Sequence, residues 1–113
     1  MNKKLCNKNF YLIEQDLIAM NLAGKYAIDH MDKSDKDYEK HVSNLEVYVV
    51  WKCKTLQNWK YLISTSLHDG MYYELTYNGD KKEWYLDAYR KVENQCISEE
   101  MMIPKMKEAG MLQ

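Results

Sequence analysis

Residues 45–91 read LEVYVVWKCKTLQNWKYLISTSLHDGMYYELTYNGDKKEWYLDAYRK, in which four short runs rich in Val, Ile, Tyr, Trp and Thr are separated by turn residues. The runs are Leu45 to Lys54, Trp59 to Ser66, Met71 to Tyr77 and Glu83 to Lys91. Their length and β-branched, aromatic character predict strands. Between them, Leu56-Gln57-Asn58 is expected as a three-residue turn. His68-Asp69-Gly70 suits a three-residue hairpin loop with the glycine left-handed, and Asn78-Gly79-Asp80-Lys81 carries the Asn-Gly hairpin signal in a loop of even length. A loop of odd length pairs residues of like parity and an even loop switches it. On that basis one face collects Val47, Val49, Trp51 and Cys53, then Trp59, Tyr61, Ile63 and Leu67, then Met71, Tyr73, Leu75 and Tyr77, and finally Trp84, Leu86 and Ala88. That set is almost wholly apolar, so turn chemistry and hydrophobic pattern agree on an antiparallel four-stranded meander with its tryptophans inward.

Upstream, Ile13, Leu17, Met20, Ala27, Ile28 and Met31 recur at steps of three and four residues, with Gly24 on the same stripe, which predicts an amphipathic helix over about residues 10–32. Glycine in a helix interior costs up to ~1 kcal/mol relative to alanine, so Gly24 is expected where a strand passes close beneath the helix. Asp32 to Asn44 is polar and aperiodic and is expected as a surface connection. After the meander, about residues 45–97, Ser98-Glu99-Glu100 opens a helical tail that runs to about 111 with Pro104 and Gly110 as punctuation. The tail's methionines suit a sheet edge or a partner chain. The predicted fold is therefore α+β, a single domain of 113 residues with one core.

Composition narrows the partners. A formal net charge of -1 and a pI near 6.3 offer neither the cationic excess that phosphate backbones require nor strong acidity, so nucleic acid is not the expected partner. No apolar run approaches the ~18 residues needed to span a bilayer, and the basic beginning lacks a signal-peptide core, which together predict a cytosolic protein with no membrane partner. Cys6, Cys53 and Cys96 lack metal or redox spacing and are expected as reduced thiols, Cys53 in the core. No cofactor is implied: the four glycines form no phosphate loop, and His30, His41 and His68 are too scattered for a zinc motif. A Cys53–His68 dyad is disfavoured by the expected burial of the thiol.

The other face of the sheet carries the candidate chemistry. The same registers align Tyr48, Ser66, Tyr72 and Asp87 in one row, Val50, Ser64, Glu74 and Tyr85 in the next, and Lys52, Leu62, Thr76 and Glu83 in a third, with Tyr89 extending the patch. Tyrosines around carboxylates and small hydroxyls make an amphipathic surface of the kind found at interfaces. Tyr48, Lys52, Ser64, Tyr72, Glu74, Tyr85, Asp87 and Tyr89 are the candidate binding residues. Two carboxylates, Glu74 and Asp87, on adjacent strands also admit acid–base work, although an open sheet lacks the walled cleft a hydrolase uses.

Cys53 to Lys60, Asp69 to Lys81 and Tyr85 to Tyr89 resemble a family of short uncharacterised proteins of phages and prophages in Gram-positive bacteria. The resemblance covers about Leu45 to Cys96 and brings no catalytic residue with it. It implies an accessory protein of the host bacterial cytosol, without enzymatic activity, that blocks or sequesters a host component, with antiviral-defence factors as the class suggested by that setting. A sponge for a small ligand such as a nucleotide signal, closed by a homodimer, is the alternative, and a small hydrolase using Glu74 and Asp87 the weaker one.

Overall fold

A computed structural model of the chain describes residues 12–111. The elements are α1 (Glu14–Asp29), α2 (Tyr38–Ser43), β1 (Val47–Thr55), β2 (Asn58–Thr65), β3 (Met71–Asn78), β4 (Glu83–Arg90) and α3 (Glu99–Glu108). The sheet is antiparallel in the order β1-β2-β3-β4, so the α+β meander with a helix on one face is what the sequence predicts. The first residues of the predicted helix, 10 and 11, together with Cys6, lie outside the described residues.

The helix face that meets the sheet is narrow and made of small residues. Asp16, Ala19, Met20, Ala23, Gly24 and Ala27 are the buried positions of α1, at the spacing of a single helical stripe. Short side chains let the helix axis lie low over β1 to β3. Gly24 sits where a Cβ would come within 3.2 Å of Val47 Cγ2, so the expected close passage of a strand is present. Beneath it lie Tyr61, Ile63, Tyr73 and Leu75, each at most 1% exposed, flanked by the partly buried Trp59, Trp84 and Leu86. Trp59 and Trp84 bracket Tyr61 at ring-centroid distances of 6.0 and 6.1 Å.

Several features differ from expectation. The polar connection after α1 contains a short helix, α2, nucleated by local side-chain bonds: Asp32 accepts from the Ser34 N–H and Oγ, and Asp35 accepts from the Asp37 N–H. The first hairpin turn is also shorter. Thr55 pairs with Asn58, leaving Leu56-Gln57 as a two-residue loop with Leu56 at φ 56°, and a register shift falls between Val49 and Trp51.

An even loop switches parity and a one-residue bulge at Val50 switches it back. Val47 and Val49 therefore face the helix as predicted, whereas Trp51 and Cys53 turn to the opposite face and Lys52 and Lys54 turn inward. Trp51 is 44% exposed and Cys53 is exposed, which corrects their assignment to the core.

The later registers preserve the predicted faces but slide by two residues: Ser64 pairs with Tyr72, and Tyr72 with Tyr89. The β2–β3 loop keeps Gly70 left-handed at φ 69°. Gly79, in contrast, has no left-handed φ. A Cβ there would lie 2.2 Å from the Gln57 carbonyl oxygen, so this glycine exists because the first and third turns touch. Its N–H donates to Asn58 Oδ1 at 2.9 Å, and Gln57 Nε2 donates to Asp80 Oδ1.

The tail leaves the body. Residues 91–105 are all exposed, and the radius of gyration is 18.4 Å against about 13 Å for a compact chain of this length. Ser98 Oγ accepts from the Met101 N–H at 3.3 Å, as the predicted cap should. The helix then continues through Pro104 and ends in a Schellman motif, with Met111 N–H on Met106 O at 2.8 Å and Gly110 at φ 74°.

Candidate functional site

No described element covers the sheet face opposite α1. Its cross-strand rows are Tyr48, Ser64, Tyr72 and Tyr89; Trp51, Leu62, Glu74 and Asp87; and Cys53, Lys60, Thr76 and Tyr85. Tyr85, Tyr89, Trp51 and Val50 are each between 44% and 52% exposed. At strand rise and spacing, the face spans roughly 26 by 19 Å, or about 500 Å² in projection. Standard interfaces bury about 800 Å² per partner, so a partner docking here must also reach the rim.

Among the candidate binding residues, Tyr48, Tyr72, Glu74, Tyr85, Asp87 and Tyr89 lie on this face. Ser64 is on it too but is 6% exposed, its hydroxyl donating to the Met71 carbonyl at 2.9 Å; it shapes the floor and is not available to a partner. Lys52 belongs to the other face, turned there by the bulge. Trp51, Val50 and Cys53 join the patch in its place.

The face has a small acidic excess, Glu74 and Asp87 against Lys60. Glu74 accepts from Lys60 Nζ at 3.2 Å and from the Tyr89 hydroxyl at 3.1 Å, which leaves the carboxylate engaged. That bond, followed by the Glu74 charge, holds the Tyr89 phenol above its ordinary pKa, and the bond to Glu83 at 2.8 Å, with its charge, does the same for Tyr85. Both donate as neutral phenols at neutral pH. Glu74 pairs directly with Asp87, one row closer than the sequence suggests. Two carboxylates side by side on an open sheet, one of them tied to a lysine and a tyrosine, lack the enclosed cleft of acid–base catalysis.

The helix side holds a polar cluster that sequence reasoning missed. Asp16 is fully buried, and its carboxylate accepts from the Ile13 N–H at 2.9 Å, the Tyr61 hydroxyl at 2.7 Å and Lys52 Nζ at 3.0 and 3.2 Å. Lys52 and Lys54 also stand 5.4 and 5.8 Å over the Trp59 ring. Burial, and then the bond to Asp16, pushes the Tyr61 phenol well up. One carboxylate thereby joins the start of α1 to β1 and β2. The available signal was an aspartate on the apolar stripe between Ile13 and Met20.

The histidines also gather. His30 at the end of α1, His41 on α2 and His68 in the β2–β3 loop line one cavity of about 650 Å³ beside Arg90. Among the described residues the one group of metal-ligating side chains within 4.8 Å of one another is Asp35, Asp37 and His41, all exposed. Cys53 lies near the first turn, at the end of the sheet away from His68, so no dyad forms. The tail has its own shallow concavity among Cys96, Ile97, Met101, Met102 and Met111.

No helix among the described residues is long and apolar enough to cross a membrane. No curated protein and no solved structure matches the chain. Residues 20–99, from the middle of α1 to the first residue of α3, match the model of DUF6275, described as a family of unknown function. That span contains the entire open sheet face and the histidine-lined cavity, and the chain belongs to this family.

Proposed function

We propose that this chain is a binding protein that holds a partner protein against the open face of its sheet, with Trp51, Tyr85 and Tyr89 as the anchors. One observation carries the reading: a surface that no described element covers, bearing Trp51 and four tyrosines, with its one described lysine, Lys60, already paired to Glu74. Such a surface offers large amphipathic contact area with a small acidic excess, Glu74 and Asp87 against Lys60, and aromatic anchors of the kind found at interface cores. Single-stranded nucleic acid would need free cations beside the aromatics, and a flat face gives a free nucleotide no walls. The resemblance to short phage and prophage proteins supports a host component of the bacterial cytosol as the partner, an antiviral-defence factor being the class suited to that setting, and an inhibitory, non-enzymatic role.

The test uses Trp51→Ser with Tyr85→Ser, two exposed changes on the outer face, and Tyr73→Phe on the opposite face. Affinity capture from host cells should recover a partner with wild type and with Tyr73→Phe and lose it with the double variant. Equal capture by a folded double variant refutes the assignment of this face. Light scattering of the purified chain separates a second copy of itself from a foreign partner.

A further inference from the structure

The cavity at the end of α1 is lined by a buried hydroxyl without a hydrogen-bond partner among the described residues, that of Tyr73, which is 1% exposed. A buried hydroxyl in that condition costs on the order of 1–3 kcal/mol, which an incoming ligand atom can relieve. Above it, Tyr26 and His30 stack with ring centroids 3.9 Å apart and planes 16° from parallel, and Tyr26 meets Tyr73 at 5.5 Å. His30 Nδ1 donates to the Tyr26 carbonyl at 2.9 Å, which helps hold the two rings in their stack. Leu67 and Met71 supply apolar wall.

Charge then selects among ligands. Asp32, Asp35 and Asp69 line the cavity with Arg90 and three histidines, His41 Nε2 standing 3.9 Å from Asp35, and the two Ser34 bonds hold the Asp32 carboxyl below its usual range and ionised. Burial, followed by the Asp69 charge, pushes the Tyr73 phenol up to about 12, so it stays a neutral hydroxyl whose oxygen can accept. A phosphorylated ligand meets an excess of carboxylates here, whereas a cation is attracted. The volume of about 650 Å³ lies within the ~300–1,000 Å³ of small-molecule sites.

We infer that this cavity binds a small organic cation, an aromatic ring bearing a protonated amine. The ring lies against Tyr26 and Leu67, a ring N–H donates to the Tyr73 hydroxyl oxygen, and the ammonium faces Asp32 and Asp69. The site is on the helix side of the sheet and is separate from the protein-docking face.

Tryptamine and indole-3-propionate carry the same ring with opposite charge and are the probes. In an NMR titration, tryptamine should shift the Tyr26, His30 and Tyr73 ring resonances saturably. Indole-3-propionate should bind at least about tenfold more weakly, a difference of ~1.4 kcal/mol. Tyr73→Phe and, separately, the exposed rim change Asp32→Asn should each weaken tryptamine about threefold or more while circular dichroism stays that of the folded chain. The assignment is overturned if the acid binds as tightly as the amine, if no saturable shift appears by about 10 mM tryptamine, or if neither variant changes the titration.

Discussion

Replacing Asp16 by alanine should damage the fold more than any single change on the open sheet face. The carboxylate has no solvent exposure and four close donor contacts, and Lys52 is only 25% exposed. Removing the acceptor leaves an ammonium and a buried phenol facing an apolar helix, and breaking a buried pair from one side costs about 3–5 kcal/mol. Lys52 can partly swing to water, so the lower half of that range is expected. For a domain of this size ~1 kcal/mol moves the melting midpoint by about 4–8 °C, which predicts a fall on the order of 15–25 °C.

Tyr61→Phe removes one charge-assisted bond and leaves Asp16 two donors, so about 1–2 kcal/mol is expected. Lys52→Met strands a buried carboxylate and should fall between the two. Pairing Asp16→Leu with Lys52→Met removes both charges and should recover much of the loss. Urea titrations followed by circular dichroism give the four values. An Asp16→Ala chain within about 1 kcal/mol of wild type, or a double variant less stable than both single ones, would refute the clamp.

Gly79→Ala forces a methyl group into the Gln57 carbonyl, where the contact would be 2.2 Å; denaturation should show a loss of about 1–3 kcal/mol, with weakened amide protection at Gly79, whose N–H bonds Asn58. Alkaline stability should report the two buried phenols. Tyr61 and Tyr73 have folded pKa values above the ordinary value of 10, Tyr73 at about 12, so the unfolded chain loses these protons first. Stability is full below pH 10 and falls from there through the folded values, at about 1.4 kcal/mol per pH unit for each tyrosine. Tyr61→Phe should halve that slope between pH 10 and 12 in pH-dependent urea melts, and an unchanged slope contradicts the burial argument.

The fold was legible because strand composition, turn residues and parity all constrain the same sheet, and parity survives errors of even size. A slip of two residues in β2–β3 and β3–β4 left Tyr73, Leu75 and Leu86 facing the helix and Tyr72, Glu74 and Tyr89 facing away. A bulge is an error of one, and it is silent in sequence: in Trp51-Lys52-Cys53-Lys54 both alternations are plausible, tryptophan in with lysine out or the reverse. What decided between them was Asp16, 36 residues earlier, whose burial favours a cation that, among the described residues, an inward Lys52 supplies. The histidine-lined cavity was invisible for another reason. His30, His41 and His68 meet through α2 and the turn after α1, and that segment has no hydrophobic period; its shape comes from carboxylates of Asp32 and Asp35 bonding their own backbone two residues on.

The bulge at Val50 also binds core and surface into one choice. Side chains alternate along β1, so the register that points Lys52 at Asp16 necessarily presents Trp51 and Cys53 on the open side. Had the strand continued unbulged, Trp51 would have packed beneath the helix start, Asp16 would have been buried without its ammonium, and the outer face would have carried Lys52 in place of an exposed indole. The first arrangement holds α1 by a charge-assisted contact and leaves a large aromatic half in water, at a cost of roughly 25 cal/mol for each Å² of apolar surface so exposed. A chain selected for stability alone has little reason to keep that indole outside. Its placement beside Val50, Tyr85 and Tyr89 is therefore the strongest physical ground for treating the outer face as a surface meant to be covered.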